Sequence, residues 1–162
     1  MIISRPLKIL AAISLGAVFL RFLALGQTPF FGDSAWFYFS ARDALFTGQF
    51  PLLSLPTSIT WLHQGPLWTY LLIPALILGN FHPMAGNFLM IFFSLIALPL
   101  IYYASAKLFN RHCGLITAFL YAFFHFAVIH SRIAYHTSPQ PLFFLLFLLH
   151  LILRKELSRL EA

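Results

Sequence analysis

Charge is scarce in this chain. Only 9% of its 162 residues are charged, against about 25% in an ordinary soluble domain. Asp and Glu together number four, against ten Lys and Arg, and only Asp33 and Asp43 lie away from the C-terminal end. Cysteine is nearly absent: Cys113 alone excludes an internal disulfide and a Cys-based zinc site, and its apolar surroundings read as those of a small core residue. There is no Gly-rich phosphate loop, no zinc signature and no Ser/His/Asp order, so soluble-nucleotide chemistry has no visible site. No internal repeat or low-complexity linker appears. The net charge is +6, yet Lys and Arg stand singly at the ends of apolar runs rather than in a patch with stacking aromatics. That argues against nucleic acid and for topology signals and anionic lipid headgroups.

What fills the sequence is hydrophobic: 60% of residues, including 20 phenylalanines. This is a membrane composition. The fold class expected is all-α, a polytopic transmembrane helical protein with about four spanning helices. The predicted helices cover 7–25, 84–106, 113–130 and 139–154, and a long outer loop with interfacial helices covers 26–83. Arg5 and Lys8 resemble the start of a signal peptide, but the apolar run is long and contains Arg21, which favours an uncleaved helix. Arg21, near the far end of that run, is expected to snorkel to the interface. Pro99 inside the second span is tolerable where neighbouring helices satisfy the freed carbonyl.

Within the loop, residues 33–46 have helical spacing. Trp36, Phe37, Ser40, Ala41, Ala44 and Leu45 recur on one side, with Tyr38, Arg42 and Asp43 elsewhere. Gly48 and Pro51 end that helix, and residues 56–60 form a turn or a short extended piece. The apolar run over 66–79 is too short to span comfortably. If it spanned, Lys107, Arg111, Arg154, Lys155 and Arg159 would fall outside; if it is re-entrant or interfacial, all five are cytoplasmic, as the positive-inside rule prefers. The N-terminus is then cytoplasmic, and Asp33, His63, Gln64, Arg132 and His136 share the outer side.

Those five residues are the candidate site. Asp33 is either a helix N-cap after Gly32 or a general base or metal ligand. Asp43 beside Arg42 is a solvated helix face. His63 and Gln64 precede Pro66, and His63 is equally an interfacial residue or a ligand for metal or phosphate. Arg132 is a phosphate clamp or an interface anchor. His136 lies in the same outer loop as Arg132. His125 and His150, inside apolar runs, read as hydrogen-bonded core histidines.

Taken together, Arg21-Phe22-Leu23, then Gly32-Asp33-Ser34-Ala35-Trp36-Phe37-Tyr38 with Ala41 and Gly48, then His63-Gln64-Gly65-Pro66-Leu67, resemble the N-terminal portion of GT-C fold membrane glycosyltransferases. The nearest branch is that of the protein O-mannosyltransferases and aminoarabinose transferases. Lys107-Leu108-Phe109-Asn110-Arg111 and Ser131-Arg132-Ile133-Ala134 extend the likeness over nearly the whole chain. The resemblance implies an enzyme of a bacterial or archaeal plasma membrane, moving a sugar from a polyprenyl-phosphate donor to a sugar, lipid or protein acceptor at the outer face. It implies Asp33 as the catalytic carboxylate, acting as base or positioning the acceptor; His63, Gln64, Arg132 and His136 as substrate-binding residues; and a divalent metal as the one cofactor. The chain departs from the family pattern at Ser34, where a second acid often stands, at Thr137, where an Asp is common, and at Asn87, where an Arg is common. Family members are several times longer, so the expectation is an N-terminal part of a larger enzyme. The rival expectation is an inactive fragment or a small non-enzymatic helical membrane protein, part of a transporter or an assembly.

Overall fold

A computed structural model describes residues 5–30, 32–59 and 61–160, with side chains as far as 154. Among these residues the protein is all-helical, as expected. The helices are α1 (Arg5–Phe22), α2 (Gly32–Thr47), α3 (Leu67–Leu78), α4 (Ala85–Leu108), α5 (Arg111–Phe123), α6 (His125–His130) and α7 (Gln140–Leu160), with one 3-10 turn at Leu25–Gln27. One helix, α4, is long and apolar enough to cross a membrane by length and composition. α1 is equally apolar in its middle but carries Arg5, Lys8 and Arg21 along 18 residues.

α4 is the mast of the structure. Its start packs on α2 and α3 through Ala85 and Met90, in a core with Phe37, Tyr38, Ala41, Trp68, Leu72 and Leu76. Its middle meets α1 and α5 through Leu98, against Leu10, Ile13, Ala17, Ala118 and Ala122. Its later turns meet α7 through Ala97 and Ala104, against Leu142, Leu145 and Leu149. The alanines of the α1–α5 seam let the two backbones approach closely. Gly16 belongs to that seam: a Cβ there would lie 2.7 Å from the Phe123 ring.

The helix ends follow local chemistry. The Asn110 side chain accepts the Cys113 N–H at 2.9 Å and so caps α5. Gly48, at φ 70, turns the chain out of α2 where the sequence placed its end. The run over 66–79 does form a short helix, α3, of 12 residues with Pro74 inside. Residues 54–59 and 61–64 form a hairpin-like arm, the extended alternative for this stretch rather than the turn. Ser54 N–H donates to the Gln64 carbonyl, Gln64 N–H to Leu55, and Thr57 N–H to Leu62, around a lone bridge between Pro56 and His63.

Four expectations are corrected. The helix expected over 113–130 is broken at Phe124, whose ψ of 119 takes the chain out of helical geometry between α5 and α6. Arg21 does not snorkel; it is fully buried. Tyr38 is not on an outer face of α2 but in the core, where its hydroxyl finds two backbone partners. His125 and His150 are exposed rather than core residues, because α6 and α7 turn those positions away from their neighbours. Cys113 is half-buried.

Tyr38 fixes α2 to the start of α4. Its hydroxyl donates to the Pro83 carbonyl at 2.7 Å and accepts the Gly86 N–H at 2.7 Å. Any side chain on Gly86 would collide with that hydroxyl. Burial raises the Tyr38 phenol from 10.0 to about 12, against the opposing pull of the Gly86 N–H. The folded state therefore holds this proton more tightly than the unfolded chain does. The stability it contributes is full below pH 10 and is lost as the pH climbs toward 12. Two pH units correspond to about 2–3 kcal/mol. Denaturant unfolding at pH 9 and pH 12 should show a loss of that order, and Tyr38→Phe should largely abolish it; an equal loss in Tyr38→Phe would exclude this tyrosine as the cause.

Candidate functional site

Asp33 is the second residue of α2, which places its carboxylate at the positive end of the helix dipole rather than at the cap position. It is exposed. Its Oδ2 accepts the Tyr135 hydroxyl at 3.0 Å. The neighbouring Ser34 donates from Oγ to the Ala134 carbonyl at 2.9 Å, and the Phe37 ring lies 5.4 Å from that of His136. Ala134 itself is part of the α2–α3–α4 core. One face of α2 thus seats residues 134–136, and the sequence alternation Ser34, Phe37, Tyr38 is what presents that face.

The electrostatics follow from this seating. The Tyr135 phenol is raised, first by partial burial and then by its bond to the Asp33 carboxylate and that group's charge. The His136 imidazole is lowered by burial, with the Asp33 charge pulling the other way. His136 is therefore biased toward the neutral ring at neutral pH, able to accept a proton or a hydrogen bond through one nitrogen.

Beside this cluster lies a cavity of about 1220 Å³. Its walls come from α3 (Trp68, Leu71), α4 (Met90, Phe93, Ser94), the break between α5 and α6 (Tyr121, Phe124, Phe126) and the start of α7 (Leu142, Phe143). Polar groups gather along residues 136–140 and at Gln64. Three buried polar atoms nearby have no hydrogen-bond partner: Trp68 Nε1, Arg132 Nε and His136 Nδ1. Trp68 and His136 line the cavity; Arg132 follows cavity-lining Ser131 in the chain. Orphaned buried donors are uncommon, and each marks a place where an acceptor is missing.

Of the five residues expected at the site, Asp33 and His136 are brought within electrostatic reach of one another, and Gln64 lines the same cavity as His136. His63 is not part of it. Its exposed ring lies in the hairpin arm with Nδ1 3.1 Å from the Ser54 carbonyl, which makes that nitrogen the protonated one. Asp43 pairs with Arg42 at 2.8 Å on an exposed face, as expected. Asn87, standing where an arginine was considered, donates to Thr28 Oγ1 at 2.9 Å and ties α4 to the residue that closes the 3-10 turn after α1. Tyr135 and Trp68 were not singled out by the sequence. Tyr135 adjoins His136 in the sequence, which was the available signal; nothing local marks Trp68.

Among the described residues no three His, Cys, Asp or Glu side chains converge as a metal site would require. Asp33 and His136 alone do not make the oxygen-rich shell that a hard divalent cation takes, so no step below is routed through a metal.

The chain matches no family model, no curated protein and no solved structure.

Proposed function

We propose that this chain is a membrane glycosyltransferase module of the GT-C kind, transferring a sugar from a polyprenyl-phosphate carrier to an acceptor hydroxyl at the outer face. The observation that carries the reading is the cavity. It joins apolar walls, suited to an isoprenoid chain, to the unpartnered nitrogens of Trp68 and His136, suited to phosphate oxygens, and Arg132, whose Nε is also unpartnered, follows cavity-lining Ser131 in the chain. Asp33 lies next to that polar end. It takes the proton of the acceptor hydroxyl as the acceptor oxygen bonds to the anomeric carbon; the bond from that carbon to the phosphate oxygen breaks, and its electron pair leaves with the phosphate. Attack from the face opposite the leaving group inverts the anomeric centre. Tyr135 holds the carboxylate in place through its hydroxyl. The same chemistry can be completed by helices of a longer chain or a partner.

The membrane topology belongs to this proposal. α1, α4, the broken α5–α6 pair and α7 cross the bilayer, while α2, α3 and the hairpin arm stay at the outer interface. Lys107, Arg111 and Arg154 are then cytoplasmic, in agreement with the positive-inside rule. A reporter fused after Phe109 should give a cytoplasmic signal. Purified protein in vesicles, supplied with a radiolabelled polyprenyl-phosphate hexose and an outer-face acceptor lipid, should transfer label; label that stays on the carrier over a range of hexoses and acceptors, with the carrier shown to bind, would count against the enzyme reading.

A further inference from the structure

The cavity has a second polar place, on its apolar side, built from Arg21, Ser94 and Tyr121. Arg21 Nε donates to Ser94 Oγ at 2.8 Å, and Ser94 Oγ lies 3.0 Å from the Tyr121 hydroxyl. The rest of the guanidinium is held by carbonyls: Nη1 donates to Ala17 and Ala122 at 3.2 and 3.1 Å, and Nη2 to Tyr121 at 3.3 Å. Arg21 is therefore fixed, and among the described residues the one salt bridge is Arg42 with Asp43, so no carboxylate neutralises it. Ser94 and Tyr121 both line the cavity, whereas Arg21 stands behind them.

Counting hydrogens shows what this arrangement leaves over. The Nε–H, the Ser94 hydroxyl and the Tyr121 hydroxyl bring three hydrogens to two contacts. The first contact is used by Nε–H. The second uses one hydroxyl hydrogen, and the other hydroxyl has no further acceptor among the described residues. The contact allows either direction; in the arrangement proposed here Ser94, polarised by Arg21, donates and Tyr121 accepts. The hydrogen left over is then that of Tyr121, a residue that lines the hollow together with Met90, Phe93 and Phe124. In such surroundings an unmatched hydroxyl donor is costly.

We propose that Tyr121, backed by Ser94 and Arg21, is a hydrogen-bond donor site for the acceptor oxygen of an amphiphile, a carbonyl or an anionic oxygen, whose apolar chain lies in the cavity. This site is separate from the donors at Arg132 and His136, and binding there requires no sugar transfer.

The test uses Trp68, which lines the cavity, as the reporter in full-length Trp36→Phe/Trp61→Phe protein in lipid nanodiscs. Three brominated probes quench it: dibromostearate, its methyl ester, and dibromo-octadecane, which has no acceptor oxygen. The acid, alone or together with the ester, should quench at about 5–10-fold lower concentration than the hydrocarbon, the effect of one well-made hydrogen bond. Tyr121→Phe should remove that advantage for at least one of them, and Arg132→Ala should leave it in place. An advantage for the acid alone identifies an anionic oxygen; an advantage for both identifies a carbonyl. Either probe retaining its full advantage in Tyr121→Phe is bound elsewhere, and retention by both overturns the site, as does loss of the advantage in Arg132→Ala alone. Should Tyr121→Phe fail to fold, the infrared carbonyl band of a carbon-13 ester in Arg132→Ala protein decides: a shift to lower frequency supports the donor, and an unshifted band excludes it.

Discussion

Arg21→Met should destabilise the protein by about 2–5 kcal/mol, far beyond the roughly 0.5 kcal/mol expected of an ordinary surface substitution. The reason is the count of groups left without a partner. Phe124 ends α5, and the carbonyls of Tyr121 and Ala122 lose the helical donors that a continuing helix would have supplied. Arg21 supplies them instead, along with a bond to Ser94. Methionine fills similar space but leaves these acceptors bare, at about 1–3 kcal/mol each by the usual cost of an unmatched buried polar group. A lower bound comes from hydrogen bonds between bilayer helices, which average about 0.6 kcal/mol, so that four would still give roughly 2–3 kcal/mol. Arg21→Lys should recover only part of the loss, since an ammonium cannot reproduce the planar fork that spans both carbonyls and Ser94. Unfolding in graded denaturing detergent, followed by helical circular dichroism, measures both variants; a loss in Arg21→Met no larger than that of a surface control would return Arg21 to the interface.

This prediction also marks the boundary of what the sequence could reveal. The all-helical class was legible because long apolar runs admit little else in a lipid-like composition. The α2 helix was legible from its spacing, and its end from Gly48 and Pro51. The break at Phe124 was not. The residues around it, Tyr121 to Phe126, contain neither Gly nor Pro, and two carbonyls beside it are met by an arginine about a hundred positions earlier. Arg21 in turn looked like an interface residue because it sits one residue from the end of α1, and only the packing of α4 and α5 reveals that this end is enclosed. The same limit applied to the candidate site. Asp33 and His136 stood out as polar residues on one predicted side of a membrane. Tyr135 did not, because its role comes from the turn that lays 134–136 across α2, through contacts of Ser34 and Ala134 that no local pattern announces. His63 was drawn in by its position before Gln64 and Pro66, yet the hairpin arm spends its ring on the Ser54 carbonyl.

Asp33→Asn is expected to lower sugar transfer by about 10²–10⁴-fold, the usual contribution of a positioned general base, while leaving stability almost unchanged. The two expectations separate because Asp33 is exposed and holds no buried element in place. Asparagine keeps the size of the side chain and an oxygen that can still accept the Tyr135 hydroxyl, so the seat of residues 134–136 survives. What it lacks is a lone pair basic enough to take the acceptor's proton. Tyr135→Phe tests the other half of the pair. It leaves the carboxylate in place but frees its orientation, and the loss should be smaller, about 5–10-fold, the effect of one hydrogen bond. Arg132→Ala should instead weaken carrier binding, since in the proposed chemistry its fork is the group that meets phosphate. Measured on the same vesicle preparation, with the unfolding transition as a control, a pattern of large, small and binding-selective losses fits the proposed chemistry. Full transfer by Asp33→Asn would remove Asp33 from the reaction and leave the carboxylate as a helix-terminus charge held by Tyr135.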